Sequence, residues 1–140
     1  MKCRADWIVL GTYAALAVAL TLPLALHFDT HVPGNGGDDP ALVWNLWWLK
    51  HAIFDLGTSP LYTDYIFYPL GINLVAFTST FLNGILALPI QFAFGVIVAN
   101  NVVIFFALIV GGYGAFLLAR QTHVDLERYF EEYWLSALVP

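Results

Sequence analysis

The sequence predicts an all-α integral membrane protein, and three observations support this fold class. Of the 140 residues, 60% are hydrophobic and 11% are charged, whereas soluble domains usually carry about 25% charged residues. The mean hydropathy is +0.74. Two uncharged runs approach the length of about 20 residues that crosses a bilayer core. The net charge of −5 excludes a nucleic-acid partner, which would need a basic face.

The first predicted span covers residues 7–26 and follows the basic residues Lys2 and Arg4. A cleaved signal peptide has the same general plan, but its apolar core is usually about 7–15 residues long and is followed by an A-x-A site. No such site follows here, so an uncleaved span is favoured. The positive-inside rule then places residues 1–6 in the cytoplasm of a multi-pass protein of the cell's inner membrane.

Residues 27–98 are predicted to form an external loop with two interfacial helices, at about 39–56 and about 81–96. A glycine-rich turn leads to Asp38 and Asp39, and Asp39 is predicted to be the N-cap, with Pro40 at the first helical position. Gly57 is predicted to end this helix as a left-handed C-terminal cap. Its three tryptophans suit the aromatic belt at the lipid headgroups, with a dry core helix as the alternative; they are Trp44, Trp47 and Trp48.

The number of spans depends on residues 81–98, which are apolar but contain Asn83, Pro89 and Gln91. Asn100 and Asn101 are predicted to separate this segment from residues 102–119, which form the second clear span. If residues 81–98 also cross, the chain has three spans and Arg120 lies outside. If they stay on the surface, there are two spans and Arg120 joins the cytoplasmic side, which the positive-inside rule favours.

Small residues recur at every fourth position of both clear spans, a spacing that allows close approach of another helix. They are Gly11, Ala15 and Ala19 in the first span, and Ala107, Gly111, Ala115 and Ala119 in the second. The prediction is that these faces pack on each other or on a partner protein. For the first span, ordinary alanine-rich filler is an equal alternative.

The tail, residues 120–140, is predicted to form an amphipathic helix that lies on the membrane or docks on a partner. Its apolar face carries Leu126, Phe130, Tyr133, Trp134 and Ala137, opposite Arg128, Glu131 and Glu132. His27 and His31 have the i, i+4 spacing of a metal-binding pair, but no pattern shows a helix continuing to Pro33 or fixes a third ligand. No metal site and no bound cofactor are therefore predicted.

Three segments carry a resemblance to a known class of membrane enzymes. They are PGNGGDDPALVWNLWWLKHAIFDLGTSPLYTDYIFYPLG, LNGILALPI and GGYGAFLLAR. Over roughly residues 7–120, the chain resembles the N-terminal portion of GT-C-class multi-span glycosyltransferases, which take sugars from polyprenyl-phosphate carriers, and in particular large, poorly characterised bacterial members. The resemblance implies that residues 39–56 and 81–96 are surface helices, and that Asp38 or Asp39 is a general base or a ligand of a divalent cation. The alternative is that Asp39 caps the helix and Asp38 is solvated.

The function expected from these observations is that of a small non-enzymatic membrane subunit, built on a truncated GT-C-like module. It would pack on larger membrane protein subunits within the lipid bilayer and stabilise their complex. The reason is that the class uses many spans, commonly eight or more, and that Lys50 is nearly the only basic residue available to hold a diphosphate. The alternative is a component of a glycosyltransferase dependent on polyprenyl-phosphate lipid, completed by a companion chain or by self-assembly into an oligomer, with Asp38 and Asp39 at its site.

Overall fold

The computed structural model describes residues 2–77 and 80–138, of which most are helical; helix accounts for 70% of the structure. The chain divides into two compact units. The central unit is Val18–Phe105, and the terminal unit joins Met1–Ala17 to Phe106–Pro140. The prediction of a mostly helical chain is thus confirmed, and each unit is described by itself below.

The predicted first span, residues 7–26, is not one continuous helix. Helix α1 covers Lys2–Leu20, and a second short helix, α2, covers Leu22–Ala25 with Thr21 between them. Pro23 lies in the first turn of α2, where its missing N–H costs nothing. The predicted continuity is wrong because a proline inside an unbroken helix would remove a backbone hydrogen bond and clash with the preceding turn.

Helix α3 covers Asp39–Lys50, and one π-helical turn, His51–Asp55, continues it. This run agrees with the predicted helix at 39–56 in its extent. The predicted C-terminal cap is also confirmed, because Gly57 has φ +63° and the following N–H of Thr58 donates to the Ala52 carbonyl at 2.8 Å. The predicted N-cap is wrong: Asp38 occupies that position and Asp39 is the first helical residue.

Helix α4 covers Phe81–Phe94 and packs against α3. Gly84 is buried at this contact beside the Leu49 side chain, and the buried Gln91 side chain donates to the Leu46 carbonyl at 3.0 Å. The predicted helix at 81–96 is therefore present. Its 14 residues fall short of the about 20 that cross a bilayer.

The part of the predicted loop that lies between α3 and α4 contains regular structure. Strands β1 (Tyr62–Thr63) and β2 (Ile72–Asn73) pair antiparallel, with Tyr62 opposite Asn73, and a 3₁₀ turn follows at Leu74–Ala76. Leu74 is buried beside Trp48 and Ala52. A second small core joins Leu46 and Ala87 to residues further along the chain, Ala99 and Val103.

Helix α5 covers Val96–Leu138, and its 43 residues join segments that were predicted to be separate. The predicted break at Asn100 and Asn101 is wrong, since both lie buried within α5, and the chain turns instead at Gly95, where φ is +88°. The predicted boundary at residue 120 is also absent from the helical backbone. The side chains that define the amphipathic face of the tail, including Leu126 and residues 130–137, lie outside the described side chains.

The N-terminal part of α5, Val96–His123, is the one helical segment of the described residues that is long and apolar enough to cross a membrane. Only 6% of its most apolar window is buried. A core helix of a soluble protein would be mostly covered, so this exposure agrees with the prediction of a membrane protein. Asp6–Leu20 and Phe81–Phe94 are shorter apolar helices.

In the terminal unit, α1 meets the C-terminal part of α5 through two described contacts. Tyr13 lies directly over Gly112, where a side chain would clash with its ring, and Arg120 Nη1 is 3.0 Å from Asp6 Oδ1. The predicted small-residue faces do not make these contacts. All their members are exposed in the described chain, so their packing on a partner stays a prediction; they are Gly11, Ala15, Ala19, Ala107, Gly111, Ala115 and Ala119.

Candidate functional site

The glycine-rich turn before α3 closes around the carboxylate of Asp39. One carboxylate oxygen accepts hydrogen bonds from the backbone N–H groups of Asn35 at 2.9 Å and Gly36 at 3.1 Å. Gly34 has φ +145°, and a side chain there would overlap this carboxylate. Successive N–H groups directed at one anion form an anion-binding concavity. Asp39 itself is the anion that this turn holds, and it is half-buried.

A buried amide on α5 holds the segment that leads into this turn. Asn101 is 0% exposed, and its Nδ2 donates to the backbone carbonyls of Phe28 at 2.8 Å and His31 at 2.7 Å. The neighbouring Asn100 Nδ2 donates to Asn101 Oδ1 at 3.3 Å. The sequence alone predicts a break between helices at these two asparagines. Their role depends on backbone groups about 70 residues away, which no local pattern reveals.

Asp38 has different surroundings from those of its neighbour. It is exposed, and no hydrogen bond or ion pair of its side chain is found among the described residues. It lies at a cleft of about 450 Å³, together with Ala41, Leu42, Asn45 and Phe77. Asp39 faces a much smaller space of about 40 Å³, which Asn100 and Ile104 also line. Of the two predicted site residues, Asp38 is thus the one able to contact a bound molecule.

The three tryptophans of α3 form a cluster with one another. Trp48 is only 4% exposed, stacks on Trp44 at 5.7 Å between ring centroids, and donates its indole N–H to the Pro60 carbonyl at 3.1 Å. Trp48 therefore belongs to the core, as the dry-helix alternative expected. Trp44 and Trp47 are half-buried, and their placement at a lipid boundary stays a prediction.

A second polar constellation, which the sequence interpretation missed, lies at the end of α3. His51 Nδ1 is 2.8 Å from Asp55 Oδ2, and His51 Nε2 is 3.1 Å from the Tyr65 hydroxyl oxygen. The i, i+4 spacing of His51 and Asp55 is visible in the sequence. Tyr65 comes from the following loop, so its position depends on the path of the chain.

Two other groups considered from the sequence have ordinary contacts. The rings of His27 and His31 are 4.8 Å apart, and His31 Nδ1 is 2.9 Å from the Thr30 hydroxyl. No group of three or more potential metal ligands occurs among the described residues. Lys50 has its Nζ 5.0 Å from the centre of the Phe92 ring.

Comparison of the chain with protein-family models, curated proteins and solved structures gives no match. The described residues are mostly helical and contain one candidate membrane-spanning helix, which agrees with a membrane protein. The interpretation of its sites rests on the residues described above.

Proposed function

We propose that this protein is a membrane-bound component of a system that transfers sugars from polyprenyl-phosphate carriers, with Asp38 as its general base. One observation carries the proposal. Asp38 lies exposed at a cleft of about 450 Å³, whereas the carboxylate of the adjacent Asp39 accepts hydrogen bonds from the turn that precedes α3. The acidic position implied by the GT-C resemblance thus has one residue available for chemistry.

The arrangement of helices supports this proposal. The resemblance implies two surface helices after the first span, and α3 and α4 are two short helices that pack on each other. Neither reaches the about 20 residues of a full span. A membrane-surface position for both would put the Asp38 cleft where a carrier that remains in the bilayer meets a water-soluble acceptor.

The chemistry proposed for Asp38 is removal of a proton from an acceptor hydroxyl as that oxygen attacks the sugar. A positioned carboxylate base contributes about 10²–10⁴-fold to the rate of such a step. A carboxylate also repels the carrier phosphate unless a cation lies between them. The Asp38 carboxylate at the cleft supplies oxygen atoms, the donors that Mg²⁺ prefers.

The test uses membranes from cells that produce the chain together with its native partners. Transfer of labelled sugar from a panel of polyprenyl-phosphate sugars would be measured for wild type, Asp38→Asn and Asp29→Asn. Asp29 is an exposed aspartate of the same unit and serves as the matched control. We expect Asp38→Asn to lower transfer by about 100-fold or more, and Asp29→Asn to leave it unchanged.

Unchanged transfer in Asp38→Asn would refute the catalytic role. Absence of transfer by the wild-type chain with every donor in the panel would refute the glycosyl-transfer proposal itself.

A second candidate function is that of a non-enzymatic subunit that stabilises a larger membrane complex. It is favoured by the exposure of Ala107, Gly111 and Ala115 on a helix whose apolar window is only 6% buried. Small residues on an exposed face allow a partner helix to approach closely. Such a partner would be another membrane protein.

This candidate is tested by Gly111→Leu, with Val110→Leu on a neighbouring face as the matched control. We expect Gly111→Leu to release the chain from its complex on blue-native electrophoresis, because the added side chain holds the partner helix away. Identical migration of both variants with wild type would count against the packing role.

A further inference from the structure

A carboxylate, an imidazole and a hydroxyl form a continuous hydrogen-bonded chain at the end of α3. Asp55 Oδ2 is 2.8 Å from His51 Nδ1, and His51 Nε2 is 3.1 Å from the Tyr65 hydroxyl oxygen. An ionised carboxylate can only accept, so the neutral His51 ring places its proton on Nδ1. Nε2 then accepts from the Tyr65 O–H. Enzymes with an activated nucleophile use the same arrangement, in which one group orients a base and the base accepts the proton of the nucleophile. Here Asp55 would orient, His51 would be the base and Tyr65 the nucleophile.

The local backbone and the neighbouring rings place these groups. His51 and Asp55 are the ends of the π-helical turn, which Leu56 closes by donating its N–H to the His51 carbonyl at 3.0 Å. Single π turns are rare and occur frequently at functional sites. The His51 ring stacks on Trp47 at 4.6 Å and 17°, and the Tyr65 ring meets it edge-on at 5.6 Å.

The simplest alternative is that this chain only ties the loop after Gly57 to α3. Other bonds already do so: the Trp48 indole N–H reaches the Pro60 carbonyl at 3.1 Å, and the Leu74 N–H donates to the Leu61 carbonyl at 2.7 Å. The Tyr62 hydroxyl also closes the loop on the Leu70 carbonyl at 3.0 Å. Tyr65 itself is 52% exposed, so small molecules can reach it.

We propose that Tyr65 is a base-assisted nucleophile that accepts an acyl group from an activated, uncharged acyl donor. The Tyr65 oxygen bonds to the donor's carbonyl carbon while its proton passes to His51 Nε2. The bond to the leaving group then breaks with its electron pair, and the leaving group takes the proton from His51. The products are an ester on Tyr65 and the protonated leaving group. An anionic phosphoryl donor is disfavoured, because Asp55 and Asp64 are nearby and neither Lys nor Arg is among the described contacts of Tyr65.

The experiment measures acetylation of the full chain by N-acetylimidazole in mild detergent, with the rate at each tyrosine followed by peptide mass spectrometry. Tyr68 is the internal control, since it is 81% exposed and has no histidine contact among the described residues. A positioned base contributes about 10²–10⁴-fold in enzyme sites. Because Tyr65 is open to water, we expect it to react at least about tenfold faster than Tyr68.

The variant His51→Gln separates the chemical role from the structural one. Glutamine can still hydrogen-bond the Tyr65 hydroxyl, but its amide is not a base. We expect the Tyr65 rate to fall to that of Tyr68 while the thermal unfolding midpoint stays near wild type. If His51→Gln unfolds, Asp55→Asn provides the same comparison. The asparagine side chain no longer favours the His51 tautomer with its proton on Nδ1. We expect the acetylation rate of Tyr65 to fall several-fold and that of Tyr68 to stay unchanged.

A Tyr65 rate equal to or below that of Tyr68 in the wild type would overturn the proposal. So would a Tyr65 rate unaffected by the folded variant. The readout requires no sugar donor, so its result is independent of the proposed glycosyl transfer.

Discussion

At the start of α3, two adjacent carboxylates meet different surroundings. The Asp39 carboxylate accepts the N–H groups of Asn35 and Gly36 and lies against Gly34, whereas Asp38 is exposed at the cleft. An ionic acceptor strengthens a hydrogen bond, and a backbone N–H that loses its acceptor must find water. Asp39 is therefore a structural residue of the turn, and Asp38 is the residue left for a ligand.

The first prediction compares these two residues by stability. Asp39→Ala should lower the free energy of unfolding by about 1–3 kcal/mol, because two N–H groups lose a charged acceptor. Asp38→Ala should cost less than about 1 kcal/mol, the value of an exposed acidic residue at a helix N-terminus. Denaturant unfolding in detergent, followed by tryptophan fluorescence, measures both. An equal loss in the two variants would contradict the assignment.

At the scale of elements, the contact of α3 with α4 organises the central unit. Gly84 lets the Leu49 side chain lie against the α4 backbone, and the Gln91 side chain satisfies the Leu46 carbonyl across the same contact. A buried polar group without such a partner would cost about 1–3 kcal/mol. The contact thus combines close apolar packing with one specific polar bond.

The second prediction concerns the size of residue 84. Gly84→Ala should be nearly neutral, since a gain in helix propensity of up to about 1 kcal/mol opposes a small displacement of Leu49. Gly84→Val should destabilise by about 1–3 kcal/mol, because the buried contact must open. The same fluorescence assay measures the free energy of unfolding of both variants. Asn83→Val, at an exposed position of α4, is the control for the lower helix propensity of a β-branched residue. A stable Gly84→Val variant would show that α4 is not closely packed on α3.

At the scale of the whole molecule, α5 is the element with the clearest relation to a membrane. Val96–His123 is long and apolar, and 6% of its most apolar window is buried. A helix this exposed in water would leave a large apolar surface uncovered, which monomeric soluble proteins avoid. Lipid or a partner helix would cover it.

The third prediction tests insertion of this helix. Residues 96–123 would be placed in a host membrane protein that carries glycosylation sites on both sides of the segment. Val110→Arg, near the centre, should reduce insertion by about 2.5–3.5 kcal/mol. Thr122→Arg, near the end, should change it little because a long side chain there reaches the interface. Equal effects at both positions would argue against a membrane-spanning helix.

The local signals in the sequence were sufficient for several features of the fold. The low charge and high hydropathy indicated a membrane protein, and the Asp39-Pro40 pair indicated a helix near 39–56, whereas the helix near 81–96 was implied by the family resemblance. Gly57 marked the end of the first of these helices, where φ is indeed +63°. Such features depend on neighbours within one or two turns, so the chain carries them without knowledge of its path. Pro23 is the local signal for the break in the first span, because a proline favours the first turn of a new helix over the interior of a longer one.

The tertiary structure decided which partners the polar residues meet. Asn101 meets the carbonyls of Phe28 and His31, Gln91 meets Leu46, and Tyr65 meets His51. Each partner is 14 to 73 residues away along the chain, so its position depends on how the whole unit packs. The turn that directs its N–H groups at Asp39 is local, but the segment leading into it is held by Asn101 from α5, which only the folded chain brings there.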